Sequence, residues 1–234
     1  MEFGTPQFWL AGLEIIVVNI LLSGDNAVVI ALACRNLPAK QRRWGIFWGA
    51  LGAIVLRIVL TSFAAQMLEL PWLKIIGGVL LVWIGIKLIV EEEGEGENIQ
   101  ASEKLLSAVR TVIVADLVMS IDNVVAVAAA AHGSEVLLIF GLALSIPLVI
   151  VGAQLILRLI ERFPVLIVGG GGLLGFIAGE LFATDSALTR WSGPFPGWFQ
   201  YVCGVIGIVI VVGWAKLIQR RRDTTRARAA DTSA

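Results

Sequence analysis

Runs of about 20 consecutive apolar residues recur along this chain, and they constrain its fold more than any other feature. A helix of that length crosses about 30 Å of hydrocarbon, whereas a membrane strand needs only about 9–11 residues of alternating polarity. The chain is 58% apolar and 15% charged, whereas soluble domains are about 25% charged. We therefore predict an all-α membrane protein.

Seven windows reach this length when the sequence is divided where charges, prolines or glycine-rich turns cluster. They predict seven transmembrane helices, near Phe8–Cys34, Trp44–Leu68, Trp72–Val90, Val109–Ala131, Glu135–Leu157, Val165–Ala183 and Trp198–Ile218. The first window lacks a basic n-region and contains Glu14, Asp25 and Asn26, so we interpret it as a mature span and not as a signal peptide.

Residues 1–218 are expected to form one transmembrane domain, and the polar, basic tail 219–234 is predicted to be disordered. Lys and Arg indicate the orientation, because cytoplasmic loops are enriched in them. Basic residues follow spans one, three, five and seven, all of which end on one side: Arg35, Lys40, Arg42 and Arg43; Lys104 and Arg110; Arg158 and Arg162; Arg220, Arg221, Arg222, Arg226 and Arg228. The N-terminus is therefore predicted outside and the C-terminus in the cytoplasm.

An internal repeat relates the two halves of the chain. Four residues of span one recur 97 residues later in span four: Asn19, Ser23, Asp25 and Asn26 correspond to Asp116, Ser120, Asp122 and Asn123. A weaker similarity relates Gly77–Lys87 in span three to Gly170–Glu180 in span six. Three spans separate the copies, so the halves, about 8–90 and 109–183, are predicted to form an inverted three-plus-three repeat, with helix 198–218 in addition.

The acids within these spans require compensation, because an ionised carboxylate at mid-bilayer costs about 2.5–3.5 kcal/mol on insertion scales. Arg57 in span two is one candidate partner, and an arginine that neutralised both Asp25 and Asp122 would make the cluster structural. The adjacent Asn and Ser residues favour instead an oxygen-lined site, which suits hard cations such as Mg²⁺, Ca²⁺ and Mn²⁺.

Several other residues are candidates for supporting roles. Met119 is interpreted mainly as packing, although its thioether is a softer ligand that would favour Mn²⁺. Glu180 and Arg57 are candidate residues of a gate or a proton relay. Supporting ligands are predicted at Asn19, Ser23, Ser120 and Met119.

The sequences LSGDNAVVIALA at Leu22–Ala33 and DLVMSIDNVVAVAAAA at Asp116–Ala131 resemble the paired signatures of the bacterial TerC family. The resemblance is closest to its YjbE-like subgroup, within the LysE-type transporter superfamily. It implies a multi-pass protein of the bacterial inner membrane that exports manganese. It also implies these metal ligands: Asp25, Asn26, Asp122 and Asn123, with Asp116 as a supporting acid. One departure is Asn19, where relatives often have Asp.

These observations predict an exporter of a divalent cation, Mn²⁺ on the resemblance, with the ion held near the midplane between helices one and four during alternating access. An exporter of a small cationic solute and an intramembrane enzyme or metal-delivery factor are the alternatives. The paired asparagines favour transport, so we expect no catalytic residue and no cofactor besides the transported ion. The expected partners are the metal ion and the lipid bilayer, a homo-oligomer stays open, and no nucleic acid is expected.

Overall fold

The computed structural model describes residues 9, 13, 17, 24–62, 70–91, 101–130, 135–193 and 195–232. Within these ranges the chain is all-α, as predicted, and seven helices follow a shorter helical segment, α1 (Gly24–Cys34). The seven are α2 (Ala39–Ser62), α3 (Leu73–Val90), α4 (Ala101–Ala130), α5 (Glu135–Arg162), α6 (Val165–Ala183), α7 (Ser186–Ser192) and α8 (Gly197–Thr232).

Five helical stretches of the described chain are long and apolar enough to cross a membrane: Ala39–Thr61, Leu73–Val90, Leu138–Arg162, Val165–Trp191 and Gly197–Arg222. They coincide with predicted spans two, three, five, six and seven. Predicted span four coincides with the second part of α4, up to Ala130. Span one is described at residues 9, 13, 17 and 24–34, of which the last stretch forms α1. The inverted crossing of the two halves and the orientation of the termini stay predictions.

The C-terminal stretch differs from its prediction. The tail after residue 218 was expected to be disordered, whereas α8 continues through it to Thr232. Extending a helix that already exists avoids the unfavourable nucleation step, and the Arg and Ala residues of this stretch have high helix propensity. Its polarity therefore prevents burial without preventing helix formation.

Helix α1 lies within the core of the described bundle. Its residues from Val29 to Leu32 are almost fully buried, as expected of a helix that is apolar all round. A Cβ atom at Gly170 of α6 would contact Leu32, and one at Gly152 of α5 would contact Ala27. Neighbouring helices therefore enclose most of α1, including Asn26, which is 6% exposed.

Helices α2 and α4 approach closely because glycines of α2 face side chains of α4. A Cβ atom at Gly49 would lie 3.2 Å from Cγ1 of Val112, and one at Gly52 would lie 2.7 Å from Cδ1 of Ile113. Small residues allow such approach between membrane helices. The contact continues along α2 and brings Arg57 beside the middle of α4.

The backbones of α6 and α8 touch at a glycine seam formed by Gly175, Gly179, Gly204 and Gly207. A Cβ atom at Gly175 would lie 2.5 Å from the carbonyl oxygen of Gly207, and a Cβ atom at Gly207 would collide with the carbonyl oxygen of Gly175. Backbone atoms cannot rotate away as a side chain can. The packing of α8 on α6 therefore depends on the missing Cβ atoms.

We expect Gly207→Ala to lower the stability of the protein by about 1–3 kcal/mol, because the added methyl group overpacks the seam. Gly213→Ala on the same helix is the matched control, since a Cβ atom there meets nothing within 4 Å. It should leave stability unchanged or raise it by up to about 1 kcal/mol through helix propensity. Thermal unfolding in detergent measures both, and equal melting temperatures would contradict the seam.

Asp185 joins the N-termini of two helices and is fully buried, with 0% of its surface exposed. Its carboxylate accepts hydrogen bonds from the backbone N–H of Ala187 in α7 at 2.7 Å and from Lys74 and Ile75 in α3 at 3.1 and 3.3 Å. It also accepts one at 3.1 Å from Trp72, whose φ of 68° is left-handed. A carboxylate here satisfies otherwise unpaired N–H groups and complements the positive end of the helix dipole.

We expect Asp185→Ala to destabilise the protein by at least about 2 kcal/mol, because hydrogen bonds to a charged group each contribute about 1.5–3 kcal/mol. Asp185→Asn should lie between the wild type and this variant, since the amide keeps one acceptor oxygen. Ser186→Ala is the control, because it removes only an exposed 3.2 Å bond to the carbonyl of Leu70. Thermal unfolding tests this, and equal melting temperatures for the two alanine variants would show that Asp185 does not join the helices.

Candidate functional site

A small cavity lies where α1, α2 and α4 meet. Its volume is about 10 Å³, the space of about one water molecule or one bare ion. Asp116 lies midway along the 30 residues of α4, so the cavity is near the middle of the bundle. The lining residues are Asn26, Val29 and Ile30 of α1, Ala53 of α2, and Val112 and Asp116 of α4.

Three buried polar side chains form a closed network beside this cavity. Arg57 Nη2 donates to Asp116 Oδ1 at 2.6 Å, and Arg57 Nε donates to Ser120 Oγ at 3.1 Å. Ser120 Oγ in turn donates to Asp116 Oδ2 at 3.1 Å. Arg57 is 2% exposed and Asp116 is 3% exposed. Both carboxylate oxygens therefore have a donor, in the buried interior of the described bundle.

Asn26 contributes a second oxygen to the same cavity. The residue is 6% exposed, and its Oδ1 is buried without a hydrogen-bond partner among the described residues. A buried acceptor left unsatisfied costs about 1–3 kcal/mol. A cation or a water molecule in the cavity would satisfy this atom.

The structure brings together only part of the predicted ligand set. Asn26 and Asp116 line the cavity, and Ser120 orients Asp116. Asp25 is half-buried and accepts a 2.8 Å hydrogen bond from the backbone N–H of Asn26, but it is not a lining residue. Asn123 is half-buried on α4, about two turns beyond Asp116.

Other predicted residues lie elsewhere or are not described. Met119 packs in the apolar core, which agrees with its interpretation as packing and places no thioether at the cavity. Glu180 is near the end of α6 and does not line the cavity. Asn19, Ser23 and the side chain of Asp122 lie outside the described residues. Within the described part, no group of three or more His, Cys, Asp or Glu side chains could hold a metal ion.

Arg57 also has a partner that the sequence hypothesis did not name. Arg57 was considered as a counter-ion for Asp25 and Asp122, and among the described side chains it forms an ion pair with Asp116. The glycines of α2 explain this outcome, because they set the height at which α2 meets α4. Sequence reasoning also missed Asp185, although an Asp before a short helical segment is a recognisable N-cap signal.

A larger cavity of about 140 Å³ opens farther along the same α1–α4 interface. Ala33 and Ala108 line it, and they are about one helical turn from Ile30 and Val112 of the small cavity. The remaining lining residues are mostly polar: Asn36, Leu37, Lys87, Leu88, Glu91, Glu103, Lys104, Ser107 and Thr111. About one turn of apolar side chains thus separates the two cavities.

The sequence model of the family described as "Integral membrane protein TerC family" matches residues 4–223. The chain belongs to the TerC family. This confirms the resemblance of its two motifs and its nature as a multi-pass membrane protein, like bacterial inner-membrane homologues.

The chain is 44% identical over 183 residues to "Uncharacterized membrane protein YjbE" of Bacillus subtilis, covering 78% of this chain and 84% of that protein. It is 28% identical over 231 residues to "Uncharacterized membrane protein YceF" of the same organism, covering 95% and 88%. It is also 28% identical over 137 residues to "UPF0053 inner membrane protein YgdQ" of Escherichia coli, covering 51% and 58%. No solved structure matches this TerC-family chain.

We expect either Asp116→Leu or Arg57→Met to destabilise this TerC-family protein by about 3–5 kcal/mol, because each leaves one buried charged partner uncompensated. The double variant Arg57→Met/Asp116→Leu should lose much less than the sum. Unfolding in detergent measures this double-mutant cycle.

The exposed pair of Arg42 and Glu161, whose charged atoms are 2.5 Å apart, is the control cycle. It should give a coupling of at most about 1 kcal/mol. The pair would be contradicted if the destabilisation of the double variant equalled the sum of the two single effects at Arg57 and Asp116 to within about 0.5 kcal/mol.

Proposed function

We propose that this TerC-family protein transports a divalent cation, with Mn²⁺ as the favoured substrate, and that the ion occupies the small cavity between α1 and α4. The observation that carries the proposal is the pair of oxygens that this cavity brings together. Asn26 Oδ1 has no hydrogen-bond partner among the described residues, and Asp116 is a buried carboxylate midway along α4.

The chemistry of these side chains favours a hard cation. Carboxylate and amide oxygens suit Mg²⁺, Ca²⁺ and Mn²⁺, whereas Zn²⁺ and Cu⁺ prefer nitrogen or sulfur ligands. The choice of Mn²⁺ among the hard cations rests on the family resemblance. Asp25, Asp122 and Asn123 are proposed to complete the coordination in another conformation of the transport cycle.

The size of the cavity supports an ion over a larger solute. Pockets for small organic molecules occupy about 300–1,000 Å³, whereas this one has about 10 Å³. A cationic amino acid would therefore require the helices to separate widely. A single ion fits with small movements of α1 or α4.

The larger cavity suggests the route by which the ion reaches the site. On the predicted orientation it opens toward the cytoplasm, and it lies about one helical turn from the small cavity along the same interface. Ile30 and Val112 would then form the apolar barrier on the cytoplasmic side. Alternating access would open this barrier to load the ion and close it before release outside.

Flux of Mn²⁺ into proteoliposomes that contain a fluorescent chelator tests this proposal. We expect Asp116→Asn and Asn26→Leu each to reduce the initial rate at least about tenfold, since a tenfold change corresponds to loss of only about 1.4 kcal/mol of ion stabilisation. Asp25→Asn and Asp122→Asn should also reduce it. Glu161→Gln removes an exposed carboxylate far along the sequence from the site and should transport at the wild-type rate.

Two results would contradict the proposal in different ways. A wild-type protein that carries no Mn²⁺ above the rate of empty liposomes would show that the substrate is wrong. Full Mn²⁺ flux in both Asp116→Asn and Asn26→Leu would show that the ion does not use this cavity. Competition by Mg²⁺ and Ca²⁺ in the same assay measures selectivity among hard cations.

A further inference from the structure

We propose that Arg57 is an internal counter-cation of the transport site, which pairs with Asp116 when the site is empty and gives way when the substrate cation binds. This inference rests on the proposed function and adds a specific step to it. It assigns a role to Arg57 in both states of the site: Arg57 pairs with Asp116 when the site is empty, and it leaves Asp116 when the ion is bound.

The geometry places Arg57 where a substrate cation would compete with it. Its Nη2 atom is 2.6 Å from Asp116 Oδ1, and Asp116 lines the cavity whose other polar lining residue is Asn26. Ser120 bonds both Arg57 Nε and Asp116 Oδ2, so it can keep the carboxylate in place when the guanidinium leaves. The network joins side chains of two helices, Arg57 of α2 and Ser120 and Asp116 of α4.

Charge makes simultaneous occupation unfavourable. A guanidinium and a divalent cation at one carboxylate bring three positive charges to a single negative charge. In a buried site the effective dielectric constant is low, so like charges repel far more strongly than in water. Binding of the ion at Asp116 therefore weakens the Arg57 pair, and the pair in turn opposes tight retention of the ion.

The sequence repeat supports treating Arg57 and Asp116 as one unit. The residue 97 positions after Arg57 is Gln154, and the residue 97 positions before Asp116 is Asn19. The starts of the two helices lie close to this offset, because α2 begins at Ala39 and α5 begins at Glu135, 96 residues later. The two charged residues, Arg57 and Asp116, thus both correspond to neutral amides in the other copy of the repeat. The positive and the negative charge are therefore present together in one case and absent together in the other.

The proposed exchange has a consequence for transport. An empty carrier with an unpaired carboxylate in its core would be costly to return across the membrane, because a buried charge requires a partner. Arg57 supplies that partner, so no second transported ion has to neutralise Asp116 during the return step. It also favours release, since its return to Asp116 displaces the bound cation.

The test compares Mn²⁺ binding and flux in wild type, Arg57→Gln, Arg57→Lys and Gln154→Leu. Removal of the competing charge in Arg57→Gln should tighten the Kd for Mn²⁺ about tenfold, the change expected if releasing the pair costs about 1.4 kcal/mol. The KM of flux should fall with it, and the maximal rate should fall because release and return are slower. A residue that only stabilised the fold would not tighten binding when removed.

Arg57→Lys keeps the positive charge, but an ammonium group cannot reproduce the planar contact of the guanidinium with both Asp116 and Ser120. This variant should therefore also tighten the Kd for Mn²⁺, by less than Arg57→Gln does. Gln154→Leu changes the repeat-equivalent residue and should leave the Kd unchanged. If Arg57→Gln is not recovered as a folded protein, the comparison of Arg57→Lys with wild type decides the question.

The outcomes separate this inference from the function on which it rests. Wild-type protein that neither binds nor carries Mn²⁺ overturns both. Wild-type transport together with unchanged or weaker Mn²⁺ binding in the folded Arg57 variants overturns the counter-cation role alone. Tighter binding with slower maximal flux supports it.

Discussion

The ion pair between Arg57 and Asp116 is held in the interior of the helix bundle, where neither charge can be solvated by water. Two such charges are tolerable only because they are 2.6 Å apart and Ser120 bonds to both partners. This requirement fixes the height of α2 against α4. It also leaves Asn26 of α1 as the polar lining residue of the cavity whose oxygen has no partner in the described chain.

Close helix packing makes this arrangement possible. The glycines of α2 let it approach Val112 and Ile113 of α4, and the glycine seam between α6 and α8 builds the second part of the described bundle in the same way. Lipid provides no hydrophobic drive for helices to associate, so packing of this kind and buried polar contacts hold membrane helices together. Asp185 adds a third kind of contact, in which one carboxylate fixes the start of α3 relative to α7.

Much of this organisation could be predicted because hydrophobic length and charge are properties of local sequence. Spans two, three, five, six and seven were predicted close to their observed positions, and the paired motifs indicated the TerC family. The polarity of the tail was interpreted as disorder, whereas the described helix of the last span continues to Thr232. The inverted repeat and the identity of the ion stay predictions.

The sequence by itself determined that this protein lies in a membrane as helices, and that acids and amides recur at a fixed interval within two of them. It could not determine which acid pairs with Arg57. By sequence alone the partner could be Asp25, Asp116 or Asp122. Tertiary structure decided that Arg57 pairs with Asp116 and that Asn26 shares their cavity. The physical reason is that helix rotation and height depend on how residues far apart in sequence pack, and a shift of about one residue turns a helical side chain by about 100°.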